Sequence, residues 1–258
     1  MALLELNIFS EALKTQQIVY VVMPQPSTAS EIGVTNIESA EEKPYKCLYL
    51  LHGLSDNHSI WLRRTSIERY AQEYGLCVVM PFGDRSFYTD MKYGGKYYTY
   101  IAKELPALLS RMLNISDKRE DNFIAGLSMG GYGALKIGLR ECDRFCAAAG
   151  LSAVADIAAR TERFSQDMIN IFGESLEVPA EENLFCLAKA CNEREDKPRI
   201  YMGIGIEDKL YDSNVRLKQA FETYDYDFTY RESPGAHNWA FWDEYIQYVL
   251  KWLMQPEK

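Results

Sequence analysis

"FIAGLSMGGYGALKIGL", Phe123 to Leu139, carries Ser128 between Gly126 and Gly130, with Gly131 and Gly133 close behind. Each of these glycines weakens a helix or strand relative to alanine. An apolar run precedes the serine and a helix-capable segment follows it, so Gly126-Leu127-Ser128-Met129-Gly130 reads as G-x-S-x-G at a strand-to-helix corner. At such a corner one residue takes a strained backbone conformation, and side chains two positions away on either side would collide. Glycine at both places holds a serine hydroxyl out at the sheet edge, in front of the positive end of a helix. Gly131 and Gly133 let that helix lie close to the sheet.

The segments on either side of this corner alternate. "ALLELNIF" and "QQIVYVVM" predict an N-terminal antiparallel ribbon. "KCLYLLHG", "GLCVVMPF", "NFIAGLS", "CAAAGLSAV", "RIYMGIGIED" and "DFTYRES" follow as strands. From Cys47 onward most are unbroken apolar runs, the pattern of a parallel sheet covered on both faces. Between them, Thr65 and Glu68 have capping-box spacing, and Ile101, Leu105, Leu108 and Met112 share a helical face that Pro106 should limit or kink. Trp242, Tyr245, Ile246, Val249 and Leu253 form the apolar stripe of a last helix. The expected architecture is a doubly wound, mostly parallel sheet with N-terminal antiparallel strands, in one α/β domain spanning residues 1–258. One stretch, from Ser152 to Lys197, lacks a strand. It reads either as packing helices or as a small cap-like insertion over a ligand crevice. The polar stretch from Ser27 to Pro44 reads as a loop or hairpin tip.

Composition narrows the class. The chain has 258 residues, 47% hydrophobic, and a formal charge of -9. It shows no cluster of Lys and Arg, which argues against a nucleic-acid partner. Acidity of this size adds some bias against strongly anionic substrates. No apolar run approaches a membrane span, and the start "MALLELNIFSEAL" does not read as a signal peptide. The six cysteines include no C-x-x-C pair, and Cys47 and Cys77 lie in strand-like runs as small hydrophobes. A reduced, cytoplasmic protein is expected, with no membrane partner; a homo-oligomer is left open. With neither a metal-ligand cluster nor a dinucleotide fingerprint, no cofactor or metal is expected.

A serine hydroxyl needs a base to take its proton, usually a histidine held by a carboxylate. The chain has three histidines, His52, His58 and His237. In this fold the order should be serine, acid, histidine, and His237 is the one that follows Ser128. The acid should end the preceding strand: Asp208 follows the apolar run directly, Glu207 should face away, and Asp212 should cap the next helix. Two backbone amides are required for the oxyanion. Met129 follows the nucleophile, and Leu54 follows the "LYLLHG" strand. His52 is expected to fix this loop and His58 to lie at the surface. Tyr88 and Trp239 are the candidate substrate contacts, while most of the other tyrosines between Phe87 and Tyr100 are expected to pack around the sheet.

With these residues in place, the sequence resembles the esterase D-like branch of the α/β-hydrolase family, in the manner of small bacterial acetyl or tributyrin esterases. The resemblance rests on "LYLLHGLSDNHSIWLRRTSIERYA", "FYTD" with "YYTYIAKELP", "AGLSMGGYGA", "GIEDKLY" and "HNWAFWD", between about Cys47 and Asp243. It implies a serine hydrolase of short-chain acyl esters that works through an acyl-enzyme. Ser128 is then the nucleophile, Asp208 the acid, His237 the base, and Leu54 and Met129 the oxyanion donors. The substrate would be a small ester, and no cofactor is implied. Similar families include feruloyl (cinnamoyl) esterases, S-formylglutathione hydrolases and mycolyltransferases. The S-formylglutathione enzymes typically carry a cysteine near the place of Asp56, a departure that counts against thioester specialisation. Acyl transfer on the same triad, and a non-catalytic binding protein, are the remaining alternatives.

Overall fold

The computed structural model describes residues 1–25, 43–160 and 165–255. The expected loop from Ser27 to Pro44 falls almost wholly outside them. Eight strands form one sheet: β1 (Ala2–Ser10), β2 (Thr15–Met23), β3 (Cys47–Leu51), β4 (Cys77–Pro81), β5 (Asn122–Leu127), β6 (Ala147–Leu151), β7 (Arg199–Gly205) and β8 (Phe228–Ser233). Their order is β1-β2-β4-β3-β5-β6-β7-β8. The first two pair antiparallel, β2 runs antiparallel to β4, and β4 through β8 are parallel. All eight predicted strands are present.

The helices are α1 (Ile60–Arg64), α2 (Ile67–Gln72), α3 (Tyr97–Thr99), α4 (Leu105–Met112), α5 (Met129–Arg140), α6 (Ser165–Phe172), α7 (Leu184–Asn192), α8 (Tyr211–Glu222) and α9 (Trp239–Leu253). Strands β3 to β7 are buried along their whole length, because alternate side chains enter two different cores. Tyr49, Leu51 and Ile124 pack with α4, α5, α7 and α8 on one face, while Leu48, Leu50, Phe123 and Ala125 pack with α1, α2 and α9 on the other. This double coverage is why those strands read as continuous apolar runs. Cys47 and Cys77 lie side by side in register within it.

Two helix expectations shift. Helix α2 starts with Ser66 at its N-cap, and the Thr65 hydroxyl accepts the Ile67 N–H (3.1 Å) while donating to the Trp61 carbonyl (2.6 Å), so no capping box forms at Thr65. The stretch from Tyr97 to Leu113 is helical in three pieces, with a π-helical turn at Tyr100–Glu104 between α3 and α4. Pro106 lacks an N–H and its ring crowds the carbonyl four residues back. The wider turn before it resolves that conflict without ending the helix.

The stretch from Ser152 to Lys197 is mainly a packing layer. Helix α6 receives the loop after β4 through Lys92 N–H to Ile171 O and Tyr93 N–H to Asn170 O, both 2.9 Å. Helix α7 lies on α5. Glu182, between α6 and α7, meets the fully buried Lys136 of α5 at 2.6 Å and Arg140 at 2.7 Å. Lys136 also donates to the Phe87 carbonyl and the Thr89 hydroxyl. Burial lowers its pKa to about 8, and the Glu182 charge opposes that fall. Among the described residues, Val154 and Arg160 are the members of this stretch that reach the crevice described below.

Candidate active site

Strand β3 has β4 on one side and β5 on the other, so the loops leaving β3 and β5 diverge at their C-terminal ends. Such a switch point opens a crevice. Ser128 stands at this edge with φ 53° and ψ -115°, the strained corner that the flanking glycines foretell. A Cβ on Gly130 would sit 2.5 Å from the Leu51 carbonyl oxygen, and one on Gly126 would run into the Gly130 carbonyl. Close backbone approach therefore demands both glycines. The Ser128 N–H donates to Leu151 O (2.8 Å), and its own carbonyl accepts from Tyr132 (3.0 Å) and Val154 (3.2 Å).

His237 comes from the loop between β8 and α9, and Asp208 from the turn after β7. The Ser128 Oγ lies 3.0 Å from His237 Nε2, and His237 Nδ1 lies 2.8 Å from Asp208 Oδ2. The Asp208 side chain is wholly buried. Burial alone would raise its pKa, but the hydrogen bond and charge of His237, the Leu210 amide and Ser152 outweigh burial and hold it below the usual carboxylate value. The Leu210 N–H donates to Asp208 Oδ1 at 2.9 Å. Ser152, itself at φ 47°, also accepts from Trp242 Nε1 at 3.1 Å. Sequence reading missed Ser152, since its role depends on two partners far along the chain.

Glu207 turns away from the histidine ring but not from its loop: its carboxylate accepts the Gly235 N–H, and its own N–H donates to Gly235 O (3.0 Å). Asp212 sits in the first turn of α8 behind Leu210, with no capping hydrogen bond, so the expected Asp212 cap is not formed. Asp208 itself closes that turn.

Met129 opens α5, where first-turn amides lack intrahelical acceptors. Leu54 lies on the loop after β3 and lines the crevice. That loop is pinned by His52, which is buried and neutral. The Gly83 N–H donates to its Nε2 at 2.9 Å, which puts the ring proton on Nδ1, 2.7 Å from the Gly53 carbonyl. Burial lowers the His52 pKa to about 4, against the opposing pull of the Gly53 hydrogen bond.

Tyr88 requires correction as a substrate contact. It is fully buried behind the β3 loop, donates its hydroxyl to His52 O at 2.8 Å and fills the space that Gly83 and Gly133 leave open. It supports the loop that carries Leu54. Trp239 does line the crevice, within an edge-to-face series in which Trp61–Trp239 and Trp239–Trp242 centroids are 5.2 Å apart and Trp242–His237 4.9 Å. The crevice has a volume of about 330 Å³. Asp56, noted above near the place of the S-formylglutathione enzymes' cysteine, lines it with Arg160 and Lys209, and nothing in the local sequence marked the two cations.

A hydroxyl, an imidazole and a buried carboxylate joined in series at a crevice form a constellation able to drive acyl transfer from an ester. The family described as "Putative esterase" matches residues 25–253. The chain belongs to this esterase family. It is 30% identical over 267 residues to an acetyl esterase of Caldicellulosiruptor saccharolyticus, covering 98% of each chain. Among solved structures it resembles FphF, a fluorophosphonate-binding serine hydrolase of Staphylococcus aureus, with a TM-score of 0.85, 34% identity and 99% of each chain covered. It also resembles the S-formylglutathione hydrolase FrmB of the same organism, with the same TM-score and identity, over 98% of this chain and 99% of that one. The protein is an α/β-hydrolase and a serine carboxylic ester hydrolase. No helix among the described residues is long and apolar enough to cross a membrane.

Proposed function

We propose that Ser128, His237 and Asp208 are the nucleophile, base and acid of this esterase, and that the Leu54 and Met129 amides bind the oxyanion. The observation that carries the reading is the unbroken hydrogen-bonded series from the Ser128 hydroxyl to the buried Asp208. His237 takes the serine proton as Oγ attacks the ester carbonyl. Asp208 keeps the imidazole in the tautomer with Nε2 free and stabilises the imidazolium that forms. The tetrahedral oxyanion then faces the two amides at the corner. As it collapses, His237 returns the proton to the leaving alcohol, and a water repeats the sequence to release the acid from Ser128.

The acyl group we assign is short, acetyl to butyryl. Trp239 is held by Trp61 and Trp242, so the crevice wall beside the base cannot fold back to admit a long chain. The similarity to an acetyl esterase points the same way. One buried methylene gains about 0.8 kcal/mol, whereas overpacking a rigid wall costs about 1–3 kcal/mol. We also propose one α/β domain over residues 1–258 in a reducing, cytoplasmic setting, a reading that the free, mostly buried cysteines support. The likeness to FrmB keeps thioesters as a second reading, and Asp56 counts against it.

The test is kcat/KM for acetyl, butyryl, octanoyl and palmitoyl p-nitrophenyl esters, with a feruloyl ester and an acetyl thioester in parallel. Acetyl or butyryl should lead. A preference for octanoyl or longer would refute the closed wall, and faster feruloyl or thioester turnover would move the assignment to those classes. In the same assay Ser128→Ala should lower turnover about a millionfold and lose labelling by a fluorophosphonate.

A further inference from the structure

The two ends of the crevice differ in charge, and the difference follows the sheet order. At the β3 end stands Asp56, a half-buried carboxyl whose pKa is raised by burial, with the Gly53 amide and the Arg64 charge opposing. At the other end stand Arg160, which closes the short turn after β6, and Lys209, which directly follows Asp208 after β7. Strands β6 and β7 are neighbours, so both cations come from the same side of Ser128, the side from which β8 delivers His237. Among the described residues neither has a salt-bridge partner. Asp156, the acid nearest Arg160 in sequence among the described residues, is already paired with Arg216 at 3.0 Å.

The direction of the reaction gives this placement a meaning. His237 returns its proton to the leaving oxygen, so the alcohol part of an ester lies on the His237 side. Resting on the esterase reading above, we infer that the natural substrate carries an anionic group, carboxylate or phosphate, on its alcohol portion, and that Arg160 and Lys209 bind it. The net charge of -9 does not oppose this. Exposed charges are screened beyond about 8 Å at physiological salt, so an anion at the β6–β7 end of the crevice meets chiefly half-buried Arg160 and Lys209 at the exposed rim. Arg160 offers a planar fork suited to either oxyanion, and Lys209 a point charge that adapts to the second oxygen. The β3 end, where Asp56 stands, offers an anion no cation among its lining residues and is left to the acyl group.

The experiment keeps the acyl group fixed and changes only the alcohol. One arm compares the acetyl ester of 3-hydroxypropanoate with that of 3-hydroxypropanamide. The other compares the acetyl ester of 2-hydroxyethyl phosphate with its neutral phosphate dimethyl ester. The anionic member of at least one pair should have a kcat/KM about tenfold higher, as charge-assisted contacts allow, and the arm with the larger ratio identifies the anion. The ratio should shrink as salt is added and approach one in Arg160→Gln/Lys209→Gln. Each single variant should give an intermediate ratio, which preserves the test if the double variant folds poorly. Ratios of one or below in both arms overturn the inference while leaving the esterase reading intact. A ratio that survives in both single variants overturns the assignment to these side chains. Failure to hydrolyse any of the four esters, or p-nitrophenyl acetate, brings down the esterase reading and this inference with it.

Discussion

The strand-to-helix corner that holds Ser128 and the loop that delivers His237 are built on opposite principles. Every residue from Asn122 to Leu139 except Ser128 is buried, and the corner fits only because backbone packs on backbone where Gly130 meets the carbonyls of β3. From Arg231 to Ala240 no residue is buried. One close approach, Gly205 against Gly235, and the grip of Glu207 on Gly235 hold this loop to β7. The chemistry accounts for the contrast. On the proposed reading, the nucleophile and the oxyanion amides must be in place before charge develops, and reorganising them in the transition state would cost rate. The imidazole instead passes a proton between two oxygens, and it is oriented by its hydrogen bonds more than by the core.

After loss of the serine itself, the largest effect should come from cutting His237 off from the carboxylate that orients it. Asp208→Asn should lower turnover about ten-thousandfold with the fold intact, because the amide favours the wrong imidazole tautomer; Asp212→Asn should change it little. A reversed order in steady-state kinetics would move the acid to Asp212. Next, Gly130→Ala should lower turnover more than a hundredfold, since misplacing the reacting groups by about 1 Å has that cost. Its thermal midpoint should fall too, as the added methyl has only rigid backbone to push against. Glu207→Ala, by contrast, should reduce kcat only a few-fold and leave the thermal midpoint nearly unchanged. If Glu207→Ala proves the more damaging of the two, the contrast between a rigid corner and a tethered loop is wrong.

A pH test sharpens the picture on the rigid side. The folded His52 pKa of about 4 lies below the ordinary value of 6.5. Between these values the unfolded chain binds the proton and the folded one does not. The stabilisation is therefore complete above pH 6.5 and is lost as pH falls toward 4, by roughly 3 kcal/mol when fully developed. Thermal midpoints measured from pH 7 to pH 4 should fall, and His52→Gln should flatten part of that slope. An unchanged slope would mean that His52 does not hold the β3 loop through its neutral ring.

The same contrast decides what could be read from sequence. Strands β3 to β7 were legible because burial on both faces leaves an unbroken apolar run, and Ser128 because its glycines have no other purpose. Asp208 and His237 followed from chain order and from the scarcity of histidine. Trp239 was legible as a bulky neighbour of the base. Tyr88 was misassigned because its place depends on space left by Gly83 and Gly133, and nothing local to "FYTD" records that space. The π-helical turn before Pro106 escaped for a similar reason: the proline announces a conflict but not its resolution. Arg160 and Lys209 look like ordinary surface cations until the sheet order brings β6 and β7 together.

The buried pairing of Lys136 with Glu182 has a further consequence for how such a chain can change. It fastens the segment ahead of α7 to α5, while the Lys92 and Tyr93 amides hold α6 separately, so the connections between these anchors are where the chain has room to vary. Closing a loop of twice the length costs only about 0.6 kcal/mol more. Such a connection can therefore lengthen, by drift or by an engineer, and bring new side chains to the mouth of the crevice near Arg160, while Ser128, His237 and Asp208 stay where they are.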